Sequence, residues 1–239
     1  MMKAHKSGRV WLWATVILFL AMAGRHAAAI TLAPPGNLIE MLTHSNAIFR
    51  GTVTTVTDGV DMRGLTYTEV TVKVSERLVG RVSGTYTFRQ FGLMAPRLSE
   101  DGSRMLLPAP EGLPKYAVGE DVLLFMNAPA RITGLQSPYG LGAGKFVFGP
   151  GSVQNDLSNT GLFRDISLDA SLMTNNVSRL LGTDYGAVNP DDFMSVVRRA
   201  AHEDWIGTCR MWKTSAGRIC RTPGPTPVKP AVPQFGGAE

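Results

Sequence analysis

The chain has 239 residues, 44% of them hydrophobic and 18% charged, with a formal net charge of +5, which is enough for one sizeable core. Lys3, Lys6, Arg9 and Arg25 sit in residues 1–29, which carry no acid, and without that segment the net charge falls to +1. A near-neutral remainder gives no argument for a nucleic-acid partner, and its two histidines, His44 and His202, supply little for metal sites or proton shuttles.

The N-terminus reads as a targeting signal. Basic residues precede an apolar run over 10–23, and Ala27-Ala28-Ala29 offers a small-residue cleavage site, the pattern of a secretory signal peptide cut after Ala29. The run is too short to span a bilayer comfortably. These features predict a periplasmic or secreted protein with no membrane span after cleavage; an uncleaved signal anchoring a structural envelope component is the alternative. No cysteine lies near the cleavage site, so lipid attachment there is not indicated.

Asn37 with Glu40 three positions on resembles a capping box, and Leu38, Ile39, Met41 and Leu42 recur at near-helical spacing, predicting a short helix over 37–45 with His44 at its end. A first strand covers 48–56, with Gly51 where a strand tolerates glycine for a bulge or bend. Asp58-Gly59 and Gly64 bracket a turn. The next strand, 66–76 and on to Gly80, carries the clearest alternation in the chain: Val70, Val72 and Val74 on one face, Glu69, Thr71, Lys73 and Ser75 on the other. A third strand covers 85–91. Residues 93–115 hold Pro96, Pro108, Pro110 and Pro114 and form a long irregular connection, of a kind that tends to be functional or disordered. Its apolar triplet Met105, Leu106 and Leu107 either packs over the end of the barrel or meets a partner.

A fourth strand is predicted over 116–126, with further strand-like pieces at 132–135 and 145–148 around a glycine-rich bend. Beyond Gly149 the β signal fades. Residues 154–161 read as a turn-rich loop and 171–181 as holding a short helix. Asn189-Pro190-Asp191-Asp192 opens the best helix, with a capping Asn, Pro at the first position, two acids in the first turn and a stripe of Phe193, Val196, Val197 and Ala200. From Pro223 the prolines and Gly236-Gly237 predict a disordered tail. The organisation is therefore a signal peptide over 1–29, a β-barrel domain over 30–150, a helical and irregular extension over 151–222 and a tail over 223–239.

Cys209 and Cys220 are the two cysteines, and in an exported chain a disulfide is the default. Closing so short a loop restricts the unfolded chain by roughly 3 kcal/mol in the entropic account. Basic residues from Arg198 to Arg221 interleave with Trp205 and Trp212; export argues against a nucleic-acid strand, and the segment reads as a solvated cap with its Trp side chains on the barrel.

Catalytic patterns fail one by one. The bend 140–145 lacks the Gly and the Ser or Thr that a Walker loop needs at 139 and 146, which hold Tyr139 and Phe146. The run Asp156, Ser158, Thr160, Gly161 begins like a calcium loop, yet its twelfth position is Ser167. No Gly-x-Ser-x-Gly, Ser-x-x-Lys or His-Glu-x-x-His occurs. Glu120 and Asp121 are adjacent on a strand and point to opposite faces, while Asp191 and Asp192 are explained by the helix dipole. No catalytic residue, metal ligand or cofactor is assigned.

Ile48-x-x-Gly51-x-Val53, then Val70-x-Val72-x-Val74-x-Glu76-x-Leu78-x-Gly80, then Tyr116-x-Val118-Gly119-Glu120-x-Val122-Leu123-Leu124-Phe125 and Gly142-x-Gly144-x-Phe146 resemble bacterial exported proteins with a TIMP-like (netrin-like) OB-fold, over roughly residues 38–150. The resemblance implies a mainly β protein, a five-stranded antiparallel barrel with a helix against it. In inhibitory members of that family a Cys at the mature N-terminus meets the protease zinc. This chain would begin Ile30-Thr31, with no cysteine before Cys209. The sequence thus predicts an exported, non-catalytic module that contacts a protein partner, an exported protease among the classes considered, through Met105, Leu106 and Leu107 and through the segment at Ile30 and Thr31. A TIMP-like protease inhibitor and an envelope enzyme with a carboxylate site acting on glycans are the alternatives.

Overall fold

The structure is a computed structural model and describes residues 36–216. The signal segment, Ile30, Thr31, Cys220 and the tail over 223–239 lie outside the described residues. Among the described residues ten strands and three α-helices follow in chain order: α1 (Leu38–His44), β1 (Ala47–Val60), β2 (Thr66–Val79), β3 (Thr85–Phe91), β4 (Arg97–Leu98), β5 (Met105–Leu106), β6 (Asp121–Met126), β7 (Lys145–Gly149), β8 (Ser152–Asn155), β9 (Ile166–Leu168), α2 (Asn175–Leu181), α3 (Pro190–His202) and β10 (Met211–Lys213).

The expectation of a mainly β chain holds; that of a closed five-stranded barrel does not. Six strands form one antiparallel sheet in the order β3-β2-β1-β6-β7-β8, with β3 and β8 at its edges rather than paired to each other. The sixth strand was hidden because β8 is four residues long and holds a single buried apolar side chain, Val153, too little for an alternation to show. The strand expected from 116 begins instead at Asp121: Gly119 sits at φ 91° in a turn that the Glu120 N–H closes on the Ala117 carbonyl. Residues 132–135 form a turn and not a strand.

β1 sets the shape. It pairs with β2 along nearly its whole length and with β6 only over Ala47 to Thr52, and its register against β2 slips at three places between Ile48 and Thr55. Gly51 lies at the bend, where a Cβ would stand 2.3 Å from the Lys73 carbonyl, so this position takes no side chain. Slips and bend together curl the sheet. Val70, Val72 and Phe88 from β2 and β3 meet Val122, Leu124 and Met126 from β6 in one buried cluster, with Val74 packed at its margin. The shared interior expected for the valines of β2 is present, enclosed by a curled open sheet.

On the other face Ile48, Leu123, Phe125, Phe146 and Val153 join a second cluster with Phe193, Val196, Val197 and Trp205. Both helix caps form as their sequences predict: Asn37 Oδ1 accepts the Glu40 N–H at 3.2 Å, and Asn189 Oδ1 accepts the Asp191 and Asp192 N–H groups at 3.0 Å. Arg198 on α3 grips Glu76 on β2 through two bonds of 2.6 and 2.7 Å, and this guanidinium, first of all, holds the Glu76 carboxyl below its ordinary range. Trp205 is fully buried, its indole N–H donating to Glu203 at 2.7 Å. Cys209 is buried in a left-handed conformation at φ 60°; its expected disulfide with Cys220 extends outside the described residues. Val153 and Val188 exchange both backbone hydrogen bonds, which closes the β8 edge. Among the described residues no helix is long and apolar enough to cross a membrane.

Candidate binding end of the sheet

Apolar residues that the core does not use collect where the β1–β2 hairpin ends. Asp58 on β1 accepts the Met94 N–H at 2.8 Å and pairs with Arg97 at 2.6 Å, which brings the loop after β3 against the hairpin. Leu93 anchors that loop: it is wholly buried, and its carbonyl accepts the Ala109 N–H at 2.8 Å. Between these anchors β4 and β5 form a small hairpin, Arg97 opposite Leu106 and Leu98 opposite Met105. Asp101 organises its tip, accepting the Ser99 and Ser103 hydroxyls at 2.6 and 2.7 Å, which hold its carboxyl at about 2. The long connection that read as irregular is therefore ordered by polar caps, and its apolar triplet is left mostly outside: Met105 is 58% and Leu107 67% exposed, with Leu106 half-buried. Met94 and Leu98 are exposed beside them.

The turn of the β1–β2 hairpin is built on Asp61. Its carboxylate accepts the Arg63 and Leu65 N–H groups at 2.9 Å each, its carbonyl accepts the Gly64 N–H at 2.9 Å, and Arg63 Nε returns to Oδ2 at 3.0 Å. The two NH groups of Arg63 then reach across to the Ile132 carbonyl at 2.9 Å and the Thr133 carbonyl at 3.4 Å. Two turns about seventy residues apart in the chain are thus tied side by side by one guanidinium. At their apices Met62 is fully exposed and Ile132 is 86% exposed.

A cleft of about 280 Å³ opens nearby, lined by Gln90, Phe91, Leu113, Asn127, Leu135 and Gln136 among others, with no charged side chain. Its polar groups are mostly engaged: the Gln136 N–H donates to the Arg89 carbonyl at 2.7 Å and its side-chain amide to the Asn127 carbonyl at 2.6 Å, while Gln90 Nε2 donates to the Pro114 carbonyl at 2.9 Å. Without a titratable group the cleft offers no general acid or base.

Charged groups converge elsewhere, at the end of the interior. Lys145 follows the β7 alternation inward, opposite Leu124, and is almost wholly buried. Its ammonium pairs with Glu120 at 2.9 Å, donates to the Lys115 carbonyl and lies 4.8 Å from the Tyr116 ring centre. The Tyr116 hydroxyl is buried with no hydrogen-bond partner among the described residues, and burial pushes its pKa well up. Lost hydration also raises the Asp156 carboxyl, Glu120 adding to the rise and Lys145 opposing it, although the outer side of Asp156 remains in water, which damps the effect. Asp121 points the other way, to a bidentate pair with Arg50 at 2.6 and 3.1 Å, so the acidic dipeptide diverges, although Glu120 lies in the turn before the strand and not on it.

The glycine-rich bend before Lys145 is a left-handed turn at Gly140 followed by one 3₁₀ turn; a Cβ on Gly144 would meet the Tyr139 carbonyl at 2.2 Å, so its glycines serve close packing. Asp156 to Gly161 is likewise an Asx turn, with Asn155 Oδ1 accepting the Leu157 and Asn159 N–H groups at 3.0 and 2.7 Å. His44 and His202 are exposed, His44 stacking on Tyr139 at 5.6 Å. Among the described residues no group of three His, Cys, Asp or Glu side chains is placed to hold a metal ion.

The structure thus brings Met105, Leu106 and Leu107 to the hairpin end and adds Met62, Met94, Leu98 and Ile132, which sequence reasoning missed. A signal for the apices existed: a large apolar residue at the centre of a polar turn, Asp61-Met62-Arg63-Gly64 and Arg131-Ile132-Thr133-Gly134. Comparison with protein-family models, with curated proteins and with solved structures finds no match to this chain.

Proposed function

We propose that the protein is an exported, non-catalytic binding module that contacts a protein partner through the hairpin end of its sheet. The observation that carries this reading is the exposure of Met105 and Leu107 on a loop otherwise held in place by Leu93, Asp58 and Asp101. A contiguous apolar surface in water is unfavourable unless something covers it, and methionine suits surfaces that must fit a partner closely. Replacing Met105 and Leu107 together by Asp should abolish retention of the partner on the immobilised protein while leaving the melting temperature unchanged; undiminished retention would remove the loop from the function.

The same reading takes the curled sheet as OB-like in the TIMP-like sense and joins Cys209 to Cys220, which peptide mapping without reduction tests. It places the segment at Ile30 and Thr31 as a second contact. An exported zinc protease that keeps full activity in the presence of the protein would reject the inhibitor form of this proposal. A glycan-cleaving enzyme is favoured by one observation, the convergence of Glu120 and Asp156 on Lys145; a pair of carboxylates is what such hydrolysis requires. Solubilisation of envelope glycan by the protein, lost in a Glu120→Gln, Asp156→Asn double variant, would establish that reading in place of the first.

A further inference from the structure

The two edges of the six-stranded sheet are finished differently. β8 is four residues long, and its outer side is taken by Val188 through both backbone bonds to Val153. β3 is seven residues long, and its register against β2 runs without a slip. Two bonds that bracket it set its phase: the Val74 N–H donates to the Gly84 carbonyl at 2.8 Å, and the Gly92 N–H to the Thr66 carbonyl at 3.1 Å. In an antiparallel ladder the even-numbered residues between them therefore turn their backbone groups to β2, while Thr85, Thr87 and Arg89 turn theirs outward. One outward group is in use, the Arg89 carbonyl, which accepts the Gln136 N–H at 2.7 Å in agreement with that phase. The N–H and C=O groups of Thr85 and Thr87 and the N–H of Arg89 have no partner among the described residues.

Proteins blunt an open edge with short strands, Lys, Pro or a bulge, and β3 has none of these. Its one charged side chain, Arg89, is turned to Glu69 at 2.7 Å, and Thr85 and Thr87 are exposed. Unlike an exposed side chain, a row of alternating donors and acceptors specifies what covers it, the main chain of another extended segment. A second copy of β3 does not fit that description. Laid antiparallel by a two-fold axis in any register that uses both threonines, it would drive its own chain against the segment at Gln136 that already sits on Arg89. A peptide segment free to end at Gln136 meets no such obstacle.

We propose that the outer edge of β3 takes an extended segment of a protein partner as a further strand of the sheet, bonded to the backbone groups of Thr85, Thr87 and Arg89 and ending at Gln136. This goes beyond the contact at Met105 and Leu107 and does not depend on it. The segment it fits is proline-free, since each outward group needs its counterpart, and β-branched, since its side chains lie beside Thr85 and Thr87. It needs no charge, because Arg89 is already paired.

The test pans a phage-displayed library of random dodecapeptides against the immobilised full chain, and the enriched peptides, made synthetically, are the probes. The proposal expects them to slow amide exchange at Thr85, Thr87 and Arg89, which is fast in the free protein, while Tyr86 and Phe88 stay slow throughout. Thr87→Pro removes one outward N–H and no bond to β2, a place where an edge strand tolerates proline, and should weaken peptide binding by about tenfold or more. Thr87→Val keeps that N–H, loses only the hydroxyl contact with Thr71, and should bind like the wild type. Should the proline variant not fold, Thr85→Lys with Thr87→Lys leaves the backbone intact, sets charge along the edge and should show the same loss. A library that yields no peptide slowing these amides, peptides that bind Thr87→Pro as tightly as the wild type, or slow exchange at the three amides in the free monomer overturns the proposal. Slow exchange that sets in as protein concentration rises would assign the edge to a second copy and overturn it as well. The Met105 and Leu107 variant should bind the same peptides normally, so the two surfaces fail separately.

Discussion

Phe193, Phe146 and Trp205 on the helix-covered side are wholly buried, whereas Met62 and Ile132 at the hairpin end stand almost entirely in water. The first group is held by packing: Phe146 and Phe193 lie with ring centres 4.9 Å apart, and Phe125 meets Phe146 edge-on at 5.6 Å. The second is held by polar clamps, Arg63 across two turns and Asp58 under the 94–97 segment. Apolar surface on one side stabilises the fold, while on the other side hydrogen bonds position apolar surface for something else. Removing apolar atoms should therefore cost stability on the helical side and cost binding at the hairpin end.

Substitutions in the two regions sharpen or break that contrast. Phe193→Ala empties the centre of the helix-covered cluster and should lower unfolding free energy by about 4 kcal/mol in urea titration, with partner retention by the folded fraction intact; lost retention would mean the two regions are coupled. Lys145→Ala strips Glu120 of its cation at the end of the interior and should cost about 3 kcal/mol. Pairing Lys145→Met with Glu120→Gln should recover most of that loss, and a double variant as unstable as the single would show that the ammonium does more than balance charge. Arg63→Ala removes a largely exposed clamp and should change stability by less than about 1 kcal/mol. Its effect should appear instead as faster amide exchange at Leu65 and Gly134.

The smallest effect concerns Glu76. Because Arg198 holds its carboxyl below the ordinary value, the contribution is present above the unfolded-state pKa and is lost as pH falls through the lower folded-state value. Glu76→Gln should therefore lower stability modestly at neutral pH, leave it nearly unchanged in acid below the folded-state value, and so flatten the acid side of the profile; a variant as stable as the wild type at neutral pH would contradict the assignment.

Much of the packed side was legible because its signals are local. The capping Asn37 and Asn189, the α3 stripe and the alternation of Val70 and Val72 each state a periodicity or a terminus within a few residues. The strands Ser152–Asn155, Ile166–Leu168 and Met211–Lys213 were not, since segments of three or four residues are too short for an alternation and owe their form to neighbours. Barrel closure was over-read for a related reason: glycine at 51 announces a bend but not whether the two edges then meet. Of the hairpin end, the triplet Met105 to Leu107 could be singled out as apolar among polar residues. That Arg63 would join Met62 to Ile132 is a contact between distant turns, which no window of sequence contains.

β1 takes part in both halves of the sheet, paired with β2 along one side and with β6 over Ala47 to Thr52 along the other. A strand shared in this way links the fates of its partners: releasing Val70 and Val72 from the interior also bares Leu124 and Met126 on the facing strand. Deep amides of β2 and β6 should consequently report a single opening event in native-state hydrogen exchange, with one common free energy, while the clamped turns at the hairpin end open independently and far more often.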